Sequence, residues 1–299
     1  MTKKYIGIVI EGIEDIAAKE VQGKRKEKGR ILFEELKKEY ATVDTVYEVE
    51  EEYTFTDQED LLEQIQKKKW VIEEPFRVTC KRQGDHLFNA NDIEKEVGAL
   101  IYEQGHKVSL KEPKTILFVD IQDNKCMLGK LIQDNLDKRA YRVRRNNTGI
   151  SASLAAAVLR DANFPEEETL FDPYSKDGVL VIEAKKLGSK QVYANDFNEN
   201  NLRNAKINAK MAKISIEWQS PVTVDNIITN LWVPARIEKS KEYAIQFLEE
   251  SKNRVKKRLI LITNWKELEK EIPKGWIMEK KRIVNRVEVN YVFYLKRSS

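Results

Sequence analysis

The chain has 299 residues, with 53 Lys plus Arg against 49 Asp plus Glu, for a formal net charge of +4. That length favours two domains over one, and no stretch approaches the ~18 apolar residues that a membrane span requires. So small a charge excess points to an anionic partner only where the cations are clustered.

YIGIVI (5–10) reads as a strand and IEDIAAKEV as a helix ending at Gly23; GRILFEEL (29–36) is a second strand reached through KRKEKG. VDTVYEVEEEYTF alternates with period two, and DLLEQIQKKKW (60–70) has helical spacing of Leu61, Leu62, Ile65 and Trp70. FRVTCKRQG (76–84) is another strand, and NDIEKEVGALIYEQ (91–104) is a helix opened by an Asn or Asp cap. TILFVDIQ and KCMLGKLI form a strand pair around an Asp123-Asn124 turn, so this half is α+β. Cys80 and Cys126, 46 positions apart without CxxC spacing or nearby histidines, argue against a zinc site or a disulfide framework and for a reducing cytoplasm.

DNLDKRAYRVRRNNTG (134–149) lacks apolar periodicity and carries five Lys or Arg among its sixteen residues, which makes it the natural basic linker. Beyond it, ISASLAAAVLRDA is a helix, TLFD a strand, GVLVIEAKKLG a helix and QVYAND a strand. ENNLRNAKINAKMAK, VDNIITN, SKEYAIQFLEESKNRV and RLILITN repeat that alternation, before the antiparallel-looking WIMEKKRIV and EVNYVFYLK. Such alternation predicts a doubly wound, mainly parallel sheet with its ligand crevice at the carboxyl ends of the strands.

Three strands there end in polar residues: Asp172, Asp196 and Asn230. Asp196 follows Gly178 by 18 positions, a spacing that suits an acceptor for ribose hydroxyls and equally suits a cap for the helix beginning near Asn198. Gly178 is the lone glycine of the first turn, so a backbone cradle for a cofactor is poorly secured.

LDKRAYRVRRNNTGISASLAAAVLRDANFPEEETLFDPYSKDGVLVIEA resembles the junction of the THUMP-domain RNA methyltransferases that make guanine-N2 methylations in tRNA. That family typically writes KRGYR, a small-residue helix with a LAA triplet, then DPFCGSGTILIEA. FRVTCKRQGDHLFNANDIEKEVGALI likewise resembles the THUMP core, so the resemblance covers essentially the whole chain. It implies a ferredoxin-like subdomain (1–55), a THUMP domain (56–133), the linker (134–149) and a Rossmann-like methyltransferase domain (150–299) that uses S-adenosylmethionine. Asp172, Tyr174, Gly178, Asp196 and Phe197 would hold the cofactor. Lys138, Arg139, Arg142, Arg144 and Arg145, with Lys81 and Arg82, would bind tRNA through its backbone. Alanine at Arg142 and Arg145 is then expected to flatten the salt dependence of tRNA binding.

The chain departs from the pattern at three places. Lys176 stands where the first glycine of the family turn would be, beside the added carboxylate of Asp177, so cofactor affinity is expected to be weakened. The adenine-side segment is shortened to ISIEWQSPVT. The catalytic Asn/Asp-Pro-Pro-aromatic motif reads Asn230, Leu231, Trp232, Val233, Pro234: the acceptor is kept, the aromatic has moved one place forward, and the prolines that would fix the turn are gone. Trp232 is either a platform for an extruded base or a hydrophobic plug. Two readings follow: a tRNA-binding protein that has lost or weakened its catalysis and works with a protein partner, or an active methyltransferase acting on a guanine amine with Asn230 as acceptor.

Overall fold

The computed structural model describes residues 3–234, 238–285 and 289–298. In chain order the elements are β1 (Tyr5–Ile8), α1 (Glu14–Val21), β2 (Lys24–Glu27), β3 (Arg30–Phe33), β4 (Thr45–Thr54), α2 (Gln58–Gln66), β5 (Phe76–Gln83), α3 (Ala90–Glu103), β6 (Thr115–Gln122) and β7 (Lys125–Gln133). They continue as α4 (Ala152–Ala162), β8 (Leu170–Asp172), α5 (Val179–Lys186), β9 (Val192–Ala194), α6 (Glu199–Ala212), β10 (Val224–Asn230), α7 (Glu238–Ser251), β11 (Val255–Thr263), β12 (Trp276–Asn285) and β13 (Val289–Arg297). The chain divides into two compact units. The first is Met1–Ile8, Leu32–Leu36 and Thr45–Asp134; the second is Val9–Ile31, Lys37–Asp44 and Asn135–Ser299. The amino-terminal stretch read as one subdomain therefore contributes to both.

In the first unit β1, β4, β7, β6 and β5 follow one another across a sheet. β5 and β6 run parallel from Phe76↔Thr115 to Gln83↔Gln122, and the other neighbours are antiparallel. The β6–β7 hairpin closes at Asp123, whose φ of 50° is the left-handed conformation that a two-residue hairpin turn demands. Helix α3 begins with a reciprocal cap between Asn89 and Asp92 and buries Ile93, Val97 and Ile101, spaced four apart on one face. These side chains join Leu61, Ile65, Trp70, Phe76 and Leu117 in one core.

The second unit contains a six-stranded sheet in the order β12-β13-β11-β10-β8-β9. β9, β8, β10 and β11 are parallel, while β13 and β12 are antiparallel, which is the doubly wound pattern with closing antiparallel strands that the sequence predicts. Beyond β9 only a single bridge, Tyr193↔Glu217, is made by the shortened segment. Helix α4 is capped by Ser151, which accepts from Leu154 N at 3.2 Å, and its alanines pack it closely against α5.

One local reading is corrected. Lys24–Glu27, expected to be a connection, is a strand. Its four residues are charged and none is fully buried, so it carries no period-two hydrophobic signal; charged edges of this kind resist pairing with other chains.

Candidate active site

The parallel strands β8, β9 and β10 end on the same edge, and the loop before α4 comes back to meet them. The Thr148 carbonyl accepts from the Lys176 ammonium at 2.7 Å and from the Asn230 Nδ2 at 2.8 Å. One backbone oxygen thus ties the turn after β8 to the end of β10. Thr148 is itself held by Asn146, whose side-chain oxygen accepts from Thr148 N and Oγ1 at 2.9 Å each.

The two acids are both committed. Asp172 is 1% exposed and accepts from Thr229 Oγ1 at 2.7 Å and from Tyr174 N at 3.1 Å; burial nevertheless pushes its carboxyl up to about 7. Asp196 accepts from Lys176 N and Asn198 N at 2.9 Å each, and from Asn201 Nδ2 at 3.2 and 3.3 Å. Those contacts use the roughly four acceptor positions of a carboxylate. The two roles open for Asp196 thereby separate: the helix cap belongs to Asn198, which accepts from Asn200 N and Asn201 N, and Asp196 braces the turn below it.

Lys176 adopts φ 51°, the left-handed conformation for which its position would favour glycine. Burial lowers its ammonium to about 8, against the pull of Asp172, Asp196 and Asp177. Gly178, at φ 79°, has a different reason to be glycine: a Cβ there would lie 3.1 Å from the Ala205 Cβ and 3.2 Å from its Cα. The residue lets α6 approach the start of α5 and is not an open cradle. Asp177 likewise does not face a ligand; it is fully buried, accepts from Arg142 Nε at 2.8 Å and Asn146 N at 3.1 Å, and forms an ion pair with Arg142 Nη2 at 2.7 Å.

Around this edge opens a cavity of about 680 Å³ lined by Tyr174, Lys176, Asp196, Asn230, Trp232 and Phe247, with Phe197 and Tyr243 also on its wall. Tyr174 meets Phe247 edge to face at 5.2 Å between centroids and Phe197 at 6.1 Å. Trp232 is 40% exposed on the cavity, whereas its neighbour Val233 is 4% exposed and packs into the core as well as lining the cavity. The turn after Asn230 is also better held than the missing prolines suggest. Val233 N donates to Asn264 Oδ1 at 2.8 Å, and Asn264 Nδ2 donates to Val233 O at 2.9 Å. Residues 235–237, just beyond, lie outside the described residues. A second cavity, about 540 Å³ and lined by Leu159, Arg160 and Phe164 among others, contains none of the expected residues.

The basic linker is in large part not a linker. Arg139 pairs with Glu183 at 3.2 Å and also donates to the carbonyls of Ala41, Tyr40 and Leu136; its side chain is 9% exposed. Arg142 is 7% exposed on Asp177. Both are corrected from RNA-binding residues to internal ion pairs, because each faces a buried carboxylate whose desolvation it offsets. Lys138, Arg144 and Arg145 are exposed. In the first unit, Lys81 is exposed on β5, and Arg82 donates to Gly84 O at 3.0 Å and meets His86 Nδ1 at 2.8 Å. Thr148, Asn201, Tyr243 and Asn264 have no place in the sequence reading. Only Asn264 left a signal, as the polar end of a parallel strand beside β10.

A doubly wound sheet with this strand order, a turn after its first strand, an acid after its second and an asparagine ending the next defines a methyltransferase-type domain. The chain belongs to the RMKL-like methyltransferase domain family, whose model matches residues 139–292, and a THUMP domain model matches residues 52–130. Among curated relatives, the tRNA (guanine(6)-N2)-methyltransferase of Thermus thermophilus is 30% identical over 42% of this chain and 39% of its own length. That of Archaeoglobus fulgidus is 25% identical over 60% of this chain and 53% of its own. The chain thus spans about half or less of the length of these relatives. The crystal structure of TrmN from Thermus thermophilus shares the fold, with a TM-score of 0.78 and 21% identity over 99% of this chain and 100% of that one. SMU.472, solved in complex with SAH, does so at 0.79 and 16% over 100% of each.

S-adenosylmethionine is the cofactor of this family of folds, and the cavity has room for it. Two of the groups that should hold it here do not fit. The space a glycine would leave at position 176 is taken by a lysine side chain anchored on Thr148, and the acid expected at the ribose has its acceptor positions filled from within the chain.

Proposed function

We propose that this chain is a tRNA-binding THUMP protein of the tRNA guanine-N2 methyltransferase lineage in which S-adenosylmethionine-dependent methyl transfer is lost or strongly weakened. The observation that carries the reading is Lys176: its ammonium shares the Thr148 carbonyl with Asn230 on the wall of the cavity. At neutral pH that ammonium is a cation in a partly desolvated pocket, which a sulfonium bound there would have to share. Asp196, saturated by three donors, would have to surrender hydrogen bonds to take a ribose. In this reading the THUMP stretch, 56–133 by the sequence division, captures RNA through its backbone. Residues 134–149 clasp the methyltransferase-type domain, 150–299, and a protein partner supplies whatever activity the complex has.

The second reading, an active enzyme methylating the exocyclic amine of a guanine in tRNA, is favoured by Asn230, the cavity-facing Trp232 and the turn braced by Asn264. Calorimetric titration of the purified chain with S-adenosylmethionine, run beside a gel shift with total tRNA, separates the two. Tight tRNA binding without measurable cofactor binding is expected. Micromolar cofactor affinity with methyl incorporation into tRNA would establish the enzyme instead, and absence of any tRNA shift would remove both.

A further inference from the structure

Helix α6 carries Arg203, Lys206, Lys210 and the capping residue Lys213 at intervals of three, four and three residues. With 3.6 residues per turn they fall within an arc of about 80°, along about 15 Å of helix. All four are exposed, and no ion pair joins any of them to an acid among the described residues. The only acid on the helix is Glu199, in its first turn. The opposite face, with Ala205, Asn208 and Ala209, is buried.

Asn208, on the buried face, anchors the helix. Its Oδ1 accepts from Arg144 N at 2.9 Å, and its Nδ2 donates to Arg144 O at 2.6 Å. The exposed Arg144 and Arg145 thus belong to the packed side of α6, and the ridge itself is four cations in a protein whose net charge is only +4.

We propose that this ridge is an RNA-backbone contact on the methyltransferase-type unit, separate from the cavity; it rests on the tRNA-binding reading above. Lysines and arginines in a line, with no acid joined to any of them and a single half-buried ring, Trp218, under Lys206, suit a repeating phosphate charge. A protein partner would need an aromatic or apolar core to the patch, and a membrane surface would need an apolar helix face; the only large apolar side chain exposed on α6 is Met211.

The test compares three full-length proteins: wild type, R203Q/K206Q/K210Q/K213Q, and a charge-matched control, K256Q/K266Q/K270Q/K274Q, at exposed lysines of the same unit. The slope of log binding constant for total tRNA against log salt is measured for each, with circular dichroism to verify the fold. The ridge variant is expected to lose about 2 or more from the slope, since each phosphate contact contributes roughly 0.7–0.9, while the control stays near wild type. Should the quadruple variant misfold, K210Q/K213Q is expected to show about half the loss. Equal slopes for ridge variant and wild type, or an equal loss in the control, overturn the proposal. Retained tRNA slope with lost retention on an acidic protein column also overturns it, in favour of a protein partner. If wild type itself fails to bind tRNA, the tRNA reading falls and the ridge with it.

Discussion

At Lys176 the proposed loss of cofactor binding turns on a single side chain. Lys176→Gly is expected to open the turn and raise affinity for S-adenosylmethionine at least tenfold in calorimetry, because a desolvated cation is removed and φ 51° becomes comfortable. In the wild type, S-adenosylmethionine binding should strengthen as pH rises through about 8, where Lys176 gives up its proton, and SAH, which lacks the sulfonium charge, should show the smaller change. Asp172 makes a separate pH prediction. Its folded carboxyl keeps its proton up to about 7, whereas the unfolded one loses it near the ordinary value of 3.8, so the native state binds more protons between those values. Stability should therefore fall from about pH 4 to pH 7, with a slope on the order of 1 kcal/mol per pH unit. Asp172→Asn should remove that slope in denaturant melts; a slope that survives the substitution would assign it to other groups.

Between strands, the informative contact is Asn264 at the end of β11, which holds both backbone groups of Val233. Asn264→Ala strands a buried N–H and a C=O and is expected to cost about 1–3 kcal/mol in urea melts, whereas Asn264→Asp, which keeps the acceptor, should cost less. The sequence shows that the prolines after Asn230 are missing. It cannot show that hydrogen bonds from Asn264, 31 residues after Val233 and just past β11, do their work, because that contact exists only once β10 and β11 lie side by side. Helix α3 is the opposite case: its cap and its apolar face are local, and both are legible from residues 89–101 alone.

Across the whole chain, burial distinguishes exposed cations from those that serve as internal supports. Arg142→Ala leaves Asp177 buried without its cation and should destabilise the protein by about 3–5 kcal/mol while leaving the salt slope of tRNA binding unchanged. Arg145→Ala, at an exposed position, should leave stability within about 0.5 kcal/mol and lower that slope by just under one. Melting curves and salt titrations on the same two variants check both halves. If Arg142→Ala instead flattens the slope at constant stability, the ion pair with Asp177 is not what holds it.

Some of this was settled by residue order alone. The alternation of strands and helices, the THUMP-like first half, the ends of β8 and β10 at Asp172 and Asn230, and the erosion of the glycine turn at Lys176 are properties of spacing and residue type, which local structure must obey. The tertiary structure decided which polar groups remain available. Asp196 is a good ribose acceptor by position and is saturated by Lys176, Asn198 and Asn201; Arg139 and Arg142 are good phosphate ligands by composition and are buried on Glu183 and Asp177. A charged group inside a fold must be paired, and although Asn198 and Asn201 are local to Asp196, Lys176 lies 20 residues from it, and Arg142 and Arg139 lie 35 and 44 residues from their carboxylates. Only the packed chain shows which charges it has consumed and which, as along α6, it leaves for a ligand.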